Sequence, residues 1–391
     1  MTPFAPEPAH VVAAIASVAG PMAALHEPLF RGHEWEYVKE CIDTGWVSTA
    51  GKFVDRFETM LVDYTGISHA SAVVNGTAAL HVCLMLAGIR QNDEVICQPL
   101  TFAATCAAIA YCGGLPHFVD VSPTTLGLCP DALETRLNET AEIVDGVCQN
   151  RLTRRRIGAV VCMHTYGHAV ELDRLAALCA RWHLPLIEDA AESLGSFYQG
   201  RHTGHWGVLS AVSFNGNKIV TTGGGGAVLT NDPYLARQAK HLTTTAKLPH
   251  RWEFEHDRVG YNYRLPNLNA ALGCAQLEQL PNYVAAKRTL AQRYAEAFRD
   301  VANVSFFTEP SGCCSNYWLN VILLDHPDRS ARDAILTATN DAGLMTRPAW
   351  QLMHRLAPYA LAPHGDLKVA ESLYDRLINI PSSVTLGESH G

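Results

Sequence analysis

Three short segments of the chain carry side chains whose chemistry is complementary. The first is Asn75-Gly76-Thr77, a small turn between a β-like run at 71–74 and a helical run that continues to residue 86. Backbone N–H groups at such a helix N-terminus favour an anion, so the turn could bind a phosphate. An ordinary turn between a strand and a helix is an equally good interpretation of these residues.

The second segment is a group of acids at the end of an apolar run. Residues 184–188 predict a buried strand, and Glu188 is followed by Asp189, two alanines and Glu192. A carboxylate at this point could cap a helix, or it could pair with a nitrogen atom of a bound ring. The residues alone do not decide between these two roles.

The third segment contains a lysine that follows a buried strand. Lys218 ends the motif SFNGNK, which begins at Ser213, and a run of four glycines follows at 223–226. Because most of its neighbours are uncharged, apolar or glycine, the ammonium would be partly desolvated, which favours a neutral and nucleophilic amine. A solvated surface lysine is the alternative.

Together, the three segments supply what pyridoxal phosphate needs from a protein. Its phosphate needs N–H donors, its pyridine nitrogen needs a carboxylate such as Asp189, and its aldehyde needs an amine such as Lys218. Phe102, in the motif TFAAT at 101–105, could stack on the ring or belong to the core. The combination therefore predicts a cofactor site, although each segment alone is weak evidence.

The elements that would position these residues predict an α/β fold. From about residue 55 to 260, short β-like runs alternate with longer helical ones, which indicates a mainly parallel sheet covered on both faces. Ligands of such sheets bind beyond the carboxyl ends of the strands, where the three segments would meet. The predicted strands are 71–74, 94–97, 117–121, 158–164, 184–188, 209–214 and 226–230.

The rest of the chain predicts two further parts. Residues 277–300 predict a long helix, and a new strand within 317–324 begins a smaller α+β region. We therefore expect a helical N-terminal segment at 1–54 that packs on both domains, a large cofactor-binding domain at 55–275, and a linker helix with a small C-terminal domain at 276–391.

Composition excludes several classes of protein. Hydrophobic residues make up 48% and charged residues 17%, so the chain can bury a large core and is not disordered. The net charge of −8 argues against nucleic acid or an anionic membrane as the main partner. Most of the twelve cysteines lie in apolar runs, as Cys83 and Cys162 do, which indicates buried thiols in a reducing compartment.

The sequence gives little indication of a targeting segment, a membrane span or a metal-binding motif. The apolar run at 11–20 follows Glu7 rather than a basic stretch, so we expect a half-buried helix and no signal peptide. No apolar run reaches about 18 residues, the minimum for a membrane span. No C-x-x-C or H-E-x-x-H motif occurs, so we expect no metal site. These features predict a cytoplasmic protein.

The motifs resemble those of the DegT/DnrJ/EryC1/StrS family of sugar aminotransferases, which are fold-type-I enzymes that use pyridoxal phosphate. The resemblance runs from about residue 45 to 359. It lies in NGTAAL at 75, TFAAT at 101, EDAAESLGS at 188, SFNGNK at 213 and GYNYRLPN at 260. The segment SFNGNKIVTTGGGG is most similar to the branch that aminates C4 of UDP-4-keto-6-deoxy-N-acetylglucosamine in bacterial glycan pathways such as that of legionaminic acid.

The resemblance implies roles for the cofactor-binding residues. Lys218 would form a Schiff base with the cofactor and move the proton during transfer. Asp189 would pair with the pyridine nitrogen, and Phe102 would stack on the ring. The residues implied to bind the phosphate are Gly76, Thr77 and Ser213.

Four further residues carry less direct implications. Glu192 stands where many relatives have His or Gln near the ring 3-hydroxyl, and this departure leaves its role open. Asn262 would reach the phosphate of the cofactor in the neighbouring subunit, which implies a homodimer with shared active sites. Arg264 lies beside it, and His354 belongs to a loop that resembles a substrate-contacting one. We predict that both bind substrate.

The implied reaction moves the amino group of L-glutamate to a 4-keto-6-deoxy nucleotide sugar, UDP-4-keto-6-deoxy-N-acetylglucosamine being the first choice. A GDP- or TDP-linked sugar, or amination at C3, is the alternative. Sugar dehydratases of this fold carry His in place of the lysine, so Lys218 argues against them. A regulator that binds pyridoxal phosphate or a nucleotide sugar without catalysis is the rival from another class.

Overall fold

The structure is a computed structural model that describes residues 6–388. Its strands are β1 (His69–Val73), β2 (Glu94–Cys97), β3 (Leu115–Phe118), β4 (Ala141–Val144), β5 (Val147–Asn150), β6 (Ile157–Met163), β7 (Leu186–Asp189), β8 (Phe197–Tyr198), β9 (Arg201–His202), β10 (Leu209–Ser213), β11 (Gly226–Thr230), β12 (Val304–Phe306), β13 (Cys313–Cys314), β14 (Asn320–Leu324), β15 (Arg347–Pro348) and β16 (Leu377–Ile380).

The helices lie between these strands and on either side of them. They are α1 (Pro8–Ala19), α2 (Glu34–Thr44), α3 (Lys52–Thr65), α4 (Gly76–Leu86), α5 (Ala103–Tyr111), α6 (Pro130–Thr140), α7 (Leu172–Arg181), α8 (Pro233–Thr243), α9 (Asn267–Ala297), α10 (Arg329–Asp341) and α11 (Lys368–Tyr374). Short 3₁₀ turns occur at Thr165–Gly167, Met353–Arg355, Ala357–Tyr359 and Val384–Leu386. No helix in residues 6–388 is long and apolar enough to cross a membrane.

A seven-stranded sheet in the order β1-β11-β10-β7-β6-β2-β3 forms the large core. The pairs from β10 to β3 are parallel, whereas β11 is antiparallel to both β1 and β10. All seven residues of β6 are buried, as expected for a central parallel strand with helices on both faces. The predicted α/β fold with a mainly parallel sheet is confirmed.

A second sheet, in the order β12-β14-β16-β15, is antiparallel throughout. Helices α1 and α10 bury their apolar residues against it, including Val11 and Ile15 of α1 and Ile335 of α10. The run at 11–20 is therefore a helix with one buried face, as predicted.

The long helix α9 begins ten residues earlier than predicted, at Asn267 instead of 277. Many residues of its first turns are small, and they are buried on several sides of the helix, among them Ala270, Ala271 and those at 273–277. Apolar residues therefore do not recur every 3.6 positions there, and the sequence shows no helical pattern. The predicted domain boundaries after residues 54 and 275 both fall inside helices, α3 and α9. The three-part division therefore stays a prediction.

Candidate active site

One pocket of about 280 Å³ lies at the carboxyl edge of the large sheet, beyond the ends of β7 and β10. It is lined by residues of all three segments that the sequence singled out. They are Asn75, Gly76, Thr77, Asp189, Ala191, Glu192, Ser213, Asn215, Asn217 and Lys218. Because parallel strands end at the same edge, segments more than a hundred residues apart meet here.

The turn at 75–77 forms one wall of the pocket. Asn75 caps helix α4, since its side-chain oxygen accepts the N–H of Ala78 at 2.8 Å. The helix begins at Gly76, so the N–H groups of Gly76 and Thr77 precede its first intrahelical hydrogen bonds. A Cβ on Gly76 would lie 2.8 Å from Cβ of Ser213, so glycine lets the turn approach the end of β10 closely.

The acids at 188 and 189 have different roles because successive side chains of a strand point to opposite faces. Glu188 points away from the pocket and accepts N–H groups from Trp206 at 2.8 Å and from His164 at 3.0 Å. Burial would raise the pKa of Glu188, but its hydrogen bonds hold that pKa below the usual value. Glu188 therefore stabilises the loop at 204–207, and only Asp189 faces the pocket.

Asp189 is buried, with 2% of the residue exposed. One oxygen accepts the hydroxyl of Thr105 at 2.7 Å, and the other accepts the N–H of Ala191 at 3.3 Å. Burial raises the pKa of Asp189 in spite of these bonds. A cationic partner in the pocket would favour the ionised carboxylate, which is what a protonated ring nitrogen supplies.

Lys218 follows β10 in a turn where its N–H donates to the carbonyl oxygen of Asn215 at 3.0 Å. Its Nζ lies 3.2 Å from Oε1 of Glu192 and 3.9 Å from the ring centroid of Trp318. The lysine side chain is 11% exposed, so the predicted desolvation is found. The amine nevertheless lines the pocket and can reach a carbonyl group placed there.

Glu192 is buried at the floor of the pocket. Its Oε2 accepts the N–H of Tyr166 at 2.9 Å, while Oε1 contacts Lys218. Burial, opposed by the charge of Lys218, raises the pKa of Glu192 to about 7. The sequence left the role of this residue open, and the structure places its carboxyl against the amine of the lysine.

Three aromatic side chains, Phe102, Trp318 and Trp350, also line the pocket. Phe102 is half exposed, and its ring lies edge-on to that of Trp350 with centroids 6.1 Å apart. Trp318 covers the amine of Lys218, and its indole N–H donates to the carbonyl oxygen of Asn217 at 2.7 Å. A planar ring could therefore enter between apolar faces.

Three predicted site residues do not line this pocket. His354 is mostly buried elsewhere, 3.5 Å from Glu371 and beside the ring of Phe118. Arg264 lies 3.7 Å from Asp55, and Asn262 is exposed. The position of His354 and Arg264 gives no support to a substrate contact within one chain, so both roles stay predictions, as does the reach of Asn262 into a neighbouring subunit.

The site also contains residues that the sequence motifs did not identify. Thr105, which binds Asp189, lies four residues after Thr101 and could have been found from the TFAAT motif. Trp318 and Trp350 come from the region of the second sheet, a hundred or more residues from the motifs that they contact, and no local signal marks them.

A second, larger groove of about 730 Å³ lies between α3 and α8. Its Lys240 forms an ion pair with Glu58 at 2.7 Å, and the carboxyl of Glu58 also accepts the N–H of Ala72 at 3.0 Å. The smaller pocket is the better candidate, because it joins a buried carboxyl, a reachable amine and a helix N-terminus.

Two observations indicate that the residues of the pocket suit pyridoxal phosphate. The buried Asp189 carboxyl has the raised pKa of an acid that needs a cation, and the cradle at Gly76 would be closed by any larger side chain. Gly76, Thr77, Ser213 and Lys218 all line this one pocket, and their roles toward the cofactor stay predictions.

Comparisons with known proteins show the family of this chain. The model of the DegT/DnrJ/EryC1/StrS aminotransferase family matches residues 29–390. The chain is 36% identical over 368 residues to a putative pyridoxal phosphate-dependent aminotransferase, EpsN of Bacillus subtilis, covering 93% of this chain and 92% of that protein. It is 34% identical over 372 residues to the GDP-perosamine synthase of Caulobacter vibrioides, covering 94% and 95%.

Solved structures show the same similarity in three dimensions. The aminotransferase TlmJ from Streptoalloteichus hindustanus superposes with a TM-score of 0.83 at 28% identity, covering 92% of this chain and 93% of that one. PseC of Helicobacter pylori, an aminotransferase involved in the biosynthesis of pseudoaminic acid, gives a TM-score of 0.82 at 25% identity, covering 92% and 93%.

Proposed function

Because this chain belongs to the DegT/DnrJ/EryC1/StrS aminotransferase family, we propose that it moves the amino group of L-glutamate to the keto carbon of a 4-keto-6-deoxy nucleotide sugar. It is a sugar aminotransferase that depends on pyridoxal phosphate. One observation carries the proposal: Lys218 Nζ, the Asp189 carboxyl and the N-terminus of α4 converge on a single pocket.

When bound, pyridoxal phosphate supplies an electron sink for the carbanion that forms as the donor loses its Cα proton. Gly76, Thr77 and Ser213 would hold the phosphate through N–H and hydroxyl donors, and the dipole of α4 would add to their attraction. Asp189 would favour the protonated state of the ring nitrogen, and Thr105 keeps that carboxylate in place. Phe102 would contact the ring through its aromatic face.

Lys218 has two tasks in this scheme. Its Nζ would hold the cofactor through the aldehyde, and the same amine would become free for proton transfer once L-glutamate is bound. The freed amine then accepts the proton from Cα of the donor, and in the second half of the reaction it returns a proton to the sugar carbon that receives nitrogen. The ring of Trp318, whose centroid is 3.9 Å from Nζ, shields the transferred proton from water.

We infer that the acceptor is UDP-4-keto-6-deoxy-N-acetylglucosamine, since the motif at 213–226 is most similar to that branch. The GDP-linked keto sugar that amination would turn into GDP-perosamine is the second candidate, because the Caulobacter relative is a GDP-perosamine synthase at 34% identity. In a subunit pair, Asn262 would reach the cofactor phosphate of the neighbouring subunit, while Arg264 and His354 would contact the sugar substrate.

The sugar assignment is tested by supplying the purified protein with L-glutamate and each keto sugar in turn. We expect the UDP-linked sugar to give an amino sugar and 2-oxoglutarate with kcat/KM at least about 100-fold above the GDP-linked one, the scale of discrimination available to a binding pocket. Product mass and NMR identify the aminated carbon. Preference for the GDP-linked sugar would overturn the UDP assignment and support the second candidate.

The phosphate cradle gives a separate prediction. In Gly76→Ala the new Cβ would lie 2.8 Å from Cβ of Ser213, so the turn and the end of β10 must move apart. We expect cofactor binding about 10- to 100-fold weaker, the equivalent of one hydrogen bond to a charged group. Gly224→Ala is the matched control, because its Cβ would meet only a carbonyl oxygen at 3.9 Å. Equal cofactor affinities of the two variants by titration would contradict the cradle.

A further inference from the structure

Glu192 is a buried carboxyl whose two oxygens have different partners. Oε2 accepts the N–H of Tyr166 at 2.9 Å, which fixes the side chain, while Oε1 lies 3.2 Å from Nζ of Lys218. Asp189, the other acid of the pocket, has both oxygens bound, one by the Thr105 hydroxyl and one by the N–H of Ala191. Glu192 is therefore the acid positioned to exchange a proton with the lysine.

We propose that Glu192 is the proton acceptor that frees the amine of Lys218 for bond formation with the cofactor. This rests on the proposed role of Lys218 and adds a partner for it. The ammonium of Lys218 has no lone pair and cannot attack a carbonyl carbon, so its proton must first leave. A carboxylate at 3.2 Å in a pocket shielded from solvent is the nearest group that can take it.

The transfer balances without any further reactant. One N–H bond of the Lys218 ammonium breaks and an O–H bond forms on Oε1 of Glu192, which converts an ion pair into two neutral groups. The amine then forms its bond to the aldehyde carbon. Glu192 returns its proton to the departing oxygen, which leaves as water with a second hydrogen from the nitrogen. The carboxylate is restored, and the nitrogen keeps one hydrogen and the positive charge.

The direction of the pH dependence follows from the groups that face Glu192. These are Lys218 after β10, Asp189 at the end of β7 and the backbone of Tyr166 in the turn at 165–167. Burial, opposed by Lys218, raises the pKa of Glu192 to about 7. The accepting carboxylate is thus lost as the pH falls through about 7, and capture of the cofactor slows with it.

The test measures capture of pyridoxal phosphate rather than turnover. Full-length protein freed of cofactor is mixed with pyridoxal phosphate, and the rise of its visible absorption is followed between pH 5.5 and 8.5. We expect Glu192→Gln, which can still accept the N–H of Tyr166, to capture the cofactor about 100-fold more slowly at pH 8, the lower end of what a positioned acid–base group contributes. The difference in capture rate between Glu192→Gln and the wild type should narrow below pH 6, where Glu192 of the wild type is protonated.

Two further variants keep the result interpretable. Glu192→Asp retains an acid, so we expect an intermediate rate and a rise with pH like that of the wild type, which a merely structural role would not produce. Glu34→Gln makes the same change at a buried glutamate that binds Gln276 instead, and should behave as wild type. The cofactor also titrates in this pH range, but it does so equally for every variant. Rates of the variants and the wild type are therefore compared at the same pH.

The outcomes separate this inference from the function that it builds on. Wild-type rate and pH profile in Glu192→Gln would overturn the role of Glu192 and leave that of Lys218 intact. A wild-type protein that never develops the visible band would instead overturn the proposed role of Lys218. If Glu192→Gln does not fold, the rate of Glu192→Asp decides, and a wild-type value with no pH dependence near 7 contradicts the inference.

Discussion

Lys218→Ala is expected to abolish amino transfer. The variant removes both the nucleophile that anchors the cofactor and the amine that moves the proton, so we expect turnover to fall by about 10⁴-fold or more. It should also lack the visible band that a lysine-bound cofactor gives. The measurement is the rate of 2-oxoglutarate release from L-glutamate with the keto sugar present, together with the absorption spectrum.

Lys218→Arg is the control for a purely structural role. A guanidinium can still lie near Glu192 and over the ring of Trp318, as the ammonium does, but it is not a nucleophile. We expect this variant to be folded and as inactive as Lys218→Ala. Measurable turnover in either variant, with a cofactor content equal to that of the wild type, would contradict the assignment.

Asp189→Asn is expected to have the second largest effect. The amide can still accept the hydroxyl of Thr105, but it cannot hold a proton on the ring nitrogen by its charge. We expect kcat to fall about 100- to 1,000-fold, the usual loss when one preorganised electrostatic group is removed. Unlike Lys218→Ala, this variant should keep the visible band, because Lys218 is intact.

The matched control for Asp189→Asn is Asp120→Asn. Asp120 is also buried, and burial raises its pKa, but it accepts the N–H groups of Val369 and Ala370 away from the pocket. This variant should lose stability rather than kcat. An Asp189→Asn enzyme whose kcat falls no more than that of Asp120→Asn would show that the buried carboxylate does not act on the ring.

The large sheet could be predicted because its strands are short apolar runs between helical ones. Each predicted strand overlaps one of the seven strands of the sheet, with ends shifted by a few residues. The start of α9 could not be predicted, since its first turns are buried on several sides and carry no helical period. Tertiary packing, rather than local pattern, determines where that helix begins.

The site was predictable where a motif lies at the end of a strand and unpredictable where packing decides. Gly76, Asp189, Ser213 and Lys218 line one pocket, as the strand ends required. The difference between Glu188 and Asp189 follows from the alternation of side chains along β7, but the sequence did not say which face was the pocket. The contact between Glu192 and Lys218 depends on how two loops pack, which no local pattern encodes.

The most direct test of the proposed mechanism is the visible absorption spectrum of the purified protein, loaded with pyridoxal phosphate, before and after addition of L-glutamate. We expect a yellow protein whose band falls when L-glutamate is added, as the amino group passes to the cofactor and 2-oxoglutarate leaves. A protein that stays colourless after incubation with pyridoxal phosphate would contradict the mechanism.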